Sequence, residues 1–228
     1  MTAISTIYNS AYVSGSVAIS LNRGELAIIC GQWTWNTNRG YEFASIDALV
    51  NGVPLTGYRQ DIDGDGTDSS GNYMGIFPYL ATDTGSVNIA LSPGDSVLQE
   101  QYIQLTVIKL TPSPGKFFAP GNYVAASGVL ARSLNGTKTI PLANTVGDIL
   151  VGIATSLNPN ATLQIAWQSP ATEQVDEYVN GYLECTVATQ ISSSLNASFS
   201  YVEAAAYFNG AVAVAIRERS AAGVIFWI

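Results

Sequence analysis

Two short stretches constrain this chain more than any others. Gly147-Asp148-Ile149-Leu150-Val151-Gly152-Ile153-Ala154 and, upstream, Gly24-Glu25-Leu26-Ala27-Ile28-Ile29-Cys30-Gly31 each join a turn glycine to an acidic residue and a short apolar run with β-branched members. Runs of this length are too short for a helix and read as strands buried on both faces. The flanks repeat in outline as well. Ile140-Pro141-Leu142 precedes the second copy as Ile19-Ser20-Leu21 precedes the first, and the run 211–216 closes the second half as 103–108 closes the first. The pattern predicts two related β-units in tandem.

The rest of the chain supplies short strands separated by Asn22-Arg23-Gly24, Asn51-Gly52 and Ser92-Pro93-Gly94-Asp95, which are turn sequences. No amphipathic run of ten or more residues competes for a helix. The expected fold is all-β, two tandem antiparallel β-sandwich domains of jelly-roll-like type. The first occupies 1–111, with a polar, acidic loop insertion at 59–72. The Pro- and Gly-containing stretch 112–122 reads as a linker. The second sandwich occupies 123–219, and 220–228 form an apolar tail. Trp33 and Trp35 on one side of Asn36-Thr37-Asn38-Arg39-Gly40, with Tyr41 and Phe43 on the other, predict a hairpin with aromatic cross-strand pairs.

Composition narrows the function classes. The chain of 228 residues is 47% hydrophobic and 11% charged, with net charge −8 and nine scattered Lys and Arg. That disfavours a nucleic-acid backbone or an anionic membrane as partner. The first residues lack a basic region followed by an apolar one, and no run has the length of a membrane span, so a soluble protein made in the cytoplasm is expected. Histidine is absent, which removes the usual general base and the Ser-His-Asp and Cys-His mechanisms. A carboxylate pair among Asp61, Asp63, Asp65, Asp68, Glu173, Asp176 and Glu177 needs no histidine, yet nothing in their spacing singles out an acid and a nucleophile. A non-enzymatic role is expected. Cys30 and Cys185 lie in apolar runs of different halves and read as buried free thiols rather than a disulfide.

Three stretches are candidate sites. Asp61-Ile62-Asp63-Gly64-Asp65-Gly66-Thr67-Asp68 matches the first half of a calcium loop. Asp61, Asp63 and Asp65 stand at positions one, three and five, a glycine at six and the Thr67 carbonyl at seven. Asn72 stands where a bidentate glutamate is expected, so the alternatives are a weak Ca2+ site, with Asp68 close by, and a solvated acidic turn. Trp33, Trp35, Tyr41 and Phe43 could form a sugar-stacking platform or be core. Val224, Ile225, Phe226, Trp227 and Ile228 are five consecutive large apolar residues, suited to folding back on the sheet or to binding a partner subunit.

The run Gly147-Asp148-Ile149-Leu150-Val151, the small-residue strands of 192–201 and the closing Ala211-Val212-Ala213-Val214-Ala215-Ile216 resemble the β-sandwich modules of tailed-bacteriophage virion proteins. Such modules occur in tail fibres, head fibres and capsid decoration proteins. The resemblance implies a structural protein of the virion that decorates and stabilises the capsid, with major capsid or other virion proteins as partners. It also implies a symmetric homo-oligomer such as a trimer. The alternative it leaves is a receptor- or carbohydrate-binding module that recognises a host-surface glycan.

Overall fold

The computed structural model describes residues 1–11, 16–36, 46–63, 70–93, 101–119, 123–131, 136–157, 165–179, 183–203 and 208–220. The first half contains β1 (Ala3–Ala11), β2 (Ser16–Leu21), β3 (Leu26–Asn36), β4 (Ile46–Val50), β5 (Val53–Pro54), β6 (Tyr58–Asp63), β7 (Ser70–Leu80), β8 (Gly85–Pro93) and β9 (Gln101–Thr111). The second contains β10 (Lys116–Phe118), β11 (Ala125–Ala131), β12 (Gly136–Thr139), β13 (Ile149–Leu157), β14 (Ile165–Trp167), β15 (Thr172–Val179), β16 (Leu183–Ile191), β17 (Ser200–Glu203), β18 (Phe208–Ile216) and β19 (Glu218–Ser220). The described residues are all-β.

The two halves share one topology. In the first, a five-stranded sheet of order β1-β9-β3-β7-β6 faces a sheet of order β2-β8-β4-β5. In the second, β11-β18-β13-β16-β15 faces β12-β17-β14. The orders superpose strand for strand, β1 on β11 through β9 on β18, with β5 alone lacking a counterpart. Each half is a β-sandwich of antiparallel sheets with this strand order. All pairings are antiparallel.

The glycine–acid signature marks the same turn in each copy. Gly24 and Gly147 both have φ 86, a left-handed conformation that only glycine adopts at little cost. The Glu25 N–H donates to the Asn22 carbonyl at 3.0 Å, and Asp148 N–H does the same to Thr145. Gly24 donates to Ala81 at 2.8 Å and Gly147 to Ser192 at 2.8 Å. Each acidic side chain then accepts a backbone N–H three residues back, from Asn22 at 2.7 Å and Thr145 at 2.8 Å. The carboxylate closes a turn that the backbone alone would leave with an unpaired donor.

Three cores follow from strand alternation. Ala27 and Ile29 pack with Ile19, Leu21, Ala48, Val50, Phe77, Ile89, Leu105 and Val107 inside the first sandwich. Leu150 and Ala154 pack with Ile140, Leu142, Ile165, Trp167, Phe199 and Tyr201 inside the second. The alternate residues of the same strands, Leu26, Ile28 and Cys30 with Ile149, Val151 and Ile153, join a third core between the two five-stranded sheets. The chain is thus four stacked layers, and β3 and β13 each serve two cores. Cys30 and Cys185 are free and buried in the central one; burial pushes the Cys30 thiol up to about 12 and that of Cys185 well above its usual range.

The two halves pack through their five-stranded sheets, with β18 against β6 and β7. Contact of β1 with β15 is reciprocated by β6 with β11. Between the sheets the Gln32 amide donates to the Thr155 hydroxyl, and these residues occupy equivalent places, each seven after the acidic turn residue. Asn9 on β1 donates to Glu177 on β15. The stretch 112–122 includes β10, which pairs with β19, and its Phe118 is buried in the central core.

Two local expectations change. Trp33 and Trp35 do not sit on a hairpin with 41–43. β3 is the middle strand of its sheet, with Trp33 opposite Tyr73 on one side and Ile103 on the other, and Trp35 opposite Gly71 and Gln101. Both edges are occupied, so no third strand can pair there. Within 59–72, moreover, most positions are strand. Tyr58 stands opposite Ile76 as Val175 stands opposite Val187, so β6–β7 has a direct counterpart in β15–β16 and is the longer by six residues (58 to 76 against 175 to 187).

Candidate functional site

Strand direction divides the connections between two ends. The turns at 22–25, 81–84, 140–148, 168–171 and 192–199 lie at one end, here the rim. The strand ends leading into 12–15, 37–45, 64–69, 94–100, 132–135, 158–164, 180–182 and 204–207 all lie at the other.

This second end gathers the acidic and aromatic candidates of the first sandwich. Asp61 is opposite Tyr73, which is opposite Trp33, and Asp63 is opposite Gly71, which is opposite Trp35. Directly paired residues of an antiparallel sheet share a face. Asp61, Tyr73 and Trp33 therefore occupy one row of the sheet, with Asp63 and Trp35 in the next. The corresponding positions of the second unit, Ser156 and Glu184, are fully buried, and Glu184 accepts the Ile165 N–H at 2.9 Å. Asp65, Thr67, Asp68, Tyr41 and Phe43 lie outside the described residues, as do Val224, Ile225, Phe226, Trp227 and Ile228. Among the described residues no group of three or more acidic or thiol side chains is arranged to hold a metal ion.

The carboxylates Glu173 and Asp176 come together on β15. Desolvation, then the neighbouring Asp176 charge and hydrogen bond, push Glu173 up to about 7. Desolvation also raises Asp176, against the hydrogen bond it receives from Glu173. Both carboxyls are thus held above their ordinary range. Mutually hydrogen-bonded carboxyls are closer than the ~5–5.5 Å separation of a retaining glycosidase, and they leave no room for a sugar between them. Glu173 instead accepts the Trp167 backbone N–H, capping the edge of β14.

The rim was not legible as a site in the sequence. Burial alone would raise Asp148, but Arg217, which donates from Nε at 2.7 Å and Nη2 at 2.8 Å, and the Thr145 N–H outweigh it and hold the carboxylate below its ordinary range. Arg217 also reaches the Thr145 hydroxyl at 2.7 Å. Beside it, Asn144 ties three segments together. Its Oδ1 accepts from Ser192 at 2.6 Å and Ala197 at 2.9 Å, its amide donates to Leu142 at 2.8 Å, and its carbonyl accepts from Asn196 at 2.8 Å. On this braced base stand Val146, Ile191 and Leu195, exposed at 69%, 40% and 70%. The signal that could have found them is two apolar residues set in turns, Thr145-Val146-Gly147 and Ser194-Leu195-Asn196.

Comparison with known proteins returned no matching family model, no similar curated protein and no similar solved structure. No helix among the described residues is long and apolar enough to cross a membrane.

Proposed function

We propose that this protein is a non-enzymatic structural component of a virion that decorates and stabilises a capsid surface through contacts between subunits. The observation that carries the reading is the architecture: two jelly-roll-like sandwiches fused through a shared core into one four-layered body. Jelly rolls recur in viral capsid and lectin domains. An apolar rim on a hydrogen-bonded base suits lateral contact with a lattice. Labelling purified particles with an antibody to this protein, followed by imaging, tests the proposal. A regular array of label over the capsid is expected; particles free of the protein would refute it.

A second reading is favoured by the loop end, where the backbone register brings the strand ends carrying Trp33 and Trp35, Tyr73, and Asp61 and Asp63 side by side. Aromatic rings beside carboxylates suit a saccharide, and a fibre module that binds a host glycan would use them. Retention on a glycan array that Trp35→Ala abolishes would support it, and no retention of the intact protein on any glycan would remove it. A calcium titration of thermal stability examines the adjoining acidic residues in the same way.

A further inference from the structure

A strand at the edge of a sheet carries a row of unpaired N–H and C=O groups and takes up another strand unless something prevents it. Most edges among the described residues are closed in this sense. β1 is broken by a register shift between Thr6 and Tyr8, and β15 by one between Glu173 and Val175. β6 carries Arg59, Asp61 and Asp63. β5 has two residues, one of them Pro54, and β12 has four, including Lys138. The β10–β19 ribbon is three residues long and carries Lys116, Glu218 and Arg219. β14 is capped by side chains, because Glu184 accepts the Ile165 N–H at 2.9 Å and Glu173 accepts that of Trp167. β2 is uncharged but two-faced, with Ser16, Ala18 and Ser20 exposed and Ile19 and Leu21 in the first core.

β11 has none of these protections. It pairs with β18 in an unbroken register, from Ala125 opposite Ala215 to Ala131 opposite Asn209, and has no other strand neighbour among the described residues. Its sequence, Ala125-Ala126-Ser127-Gly128-Val129-Leu130-Ala131, contains no charge and no proline. No acidic residue stands between Glu100 and Asp148. Both faces are apolar where the strand begins, since Ala125 packs on the core of the second sandwich and Ala126 on the central core. The residues 125–128 nevertheless remain half-buried.

We propose that the free edge of β11 is the docking surface for a second copy of this chain. The two β11 strands pair antiparallel, joining two five-stranded sheets into one of ten strands. The strand that fits this edge must be unbroken, uncharged, apolar on both faces and unpaired along one side. β3 and β13 are buried on both faces but are already paired on both sides. β11 of another copy meets every condition, and two identical strands paired antiparallel form a two-fold contact that closes on itself. With no charge on the strand, no like charges are set opposite one another in the new ladder. The inference concerns the free chain and does not rest on the capsid reading.

The test uses proline in the full chain. The N–H groups along β11 point alternately to β18 and to the free edge. Proline is tolerated where the N–H faces outward and breaks the ladder where it faces inward. Ser127→Pro and Gly128→Pro, made separately, sample the two directions. Sedimentation velocity from low micromolar to submillimolar concentration should show a reversible dimer of the intact protein. One variant should melt as the intact protein does yet associate about ten- to a hundredfold more weakly, because the dimer loses one hydrogen bond from each copy. The other should melt at a lower temperature. An intact protein that stays monomeric throughout overturns the proposal. A dimer that persists unweakened in the variant of unchanged melting also overturns it and assigns the contact to another surface. Hydrogen exchange of the intact protein decides the matter without a variant. Raising the concentration should slow alternate amides within 125–131, and equal exchange at low and high concentration would overturn the pairing.

Discussion

Gly152→Ala tests whether the second sandwich is packed as tightly as its contacts imply. In an unstrained strand this change removes backbone freedom from the unfolded chain and stabilises by about 0.4–1 kcal/mol. Here the added Cβ would lie 2.6 Å from Phe199 Cε1 and 2.8 Å from Trp167 Cη2. Carbon atoms rest at about 3.5–4.0 Å, so the rings must retreat by roughly 1 Å. They have little freedom to do so. Trp167 stacks on Phe199 at 4.8 Å, packs on Tyr201 at 5.6 Å and donates from Nε1 to Thr186 at 2.9 Å. Overpacking of this kind costs about 1–3 kcal/mol, which leaves a net loss of about 1–2 kcal/mol. For a chain of this size that lowers Tm by about 2–8 °C. Urea denaturation should show a lower midpoint with an unchanged slope. Combined with Phe199→Leu, which vacates the contested space, the loss should be less than additive. An unchanged or raised Tm for Gly152→Ala would show that the rings move freely and that the tight packing argued for this core is wrong.

Gly57→Ala should be more damaging than Gly152→Ala, because its Cβ would meet the Ile76 carbonyl oxygen at 2.6 Å as well as the Phe77 ring, and a backbone atom inside a sheet cannot rotate away; scanning calorimetry of the two variants side by side decides this. Arg217→Ala leaves the buried Asp148 carboxylate with fewer donors and should cost about 1–2 kcal/mol near neutral pH, the exposed guanidinium keeping the loss below that of a fully buried pair. Because the Asp148 pKa is depressed in the folded protein, its stabilisation is present above its ordinary value and is lost as pH falls through the folded one. The gap between wild type and Arg217→Ala should therefore close on acidification, and a gap that persists in acid would contradict the pairing. Glu173 has the opposite sign. Its raised pKa means that the stability it contributes is present below 4.5 and is lost as pH rises to about 7. Glu173→Gln should flatten that part of the pH profile, by less than about 1 kcal/mol because the group is largely exposed to solvent. An identical slope in both proteins would show that the Glu173 carboxyl is not raised.

The repeat was legible at the turns and at the central strands because those positions answer to backbone demands. A left-handed glycine, a carboxylate that caps the turn and a strand buried on both faces admit few residue types, so Gly24-Glu25 and Gly147-Asp148 look alike. Elsewhere volume has moved between layers. The first sandwich puts Ile29, Phe77, Leu105 and Val107 on the large sheet, where the second has Gly152, Ala188, Ala211 and Ala213 and restores the volume from the facing side with Trp167, Phe199 and Tyr201. Packing constrains the sum across a core and not each member, so identity fades while topology holds. Pairing of β3 was misread for a related reason. Aromatic residues two apart fit a hairpin as well as a middle strand, and only β7 and β9, some forty and seventy residues downstream, decide between them. The rim patch escaped notice because single apolar residues in turns carry no periodicity.

The segregation of the connections also gives the molecule a polarity that bears on its use as a scaffold. Thr2 and Glu218 interact at the rim, so the first and last strands are brought together there. A copy immobilised through the rim would direct the strand ends at Asp63 and Ser70, and their counterparts at Val179 and Leu183, away from the support. Peptides grafted between either pair would emerge on the side facing the solution, two per chain at equivalent places of the two units, without passing through any of the three cores.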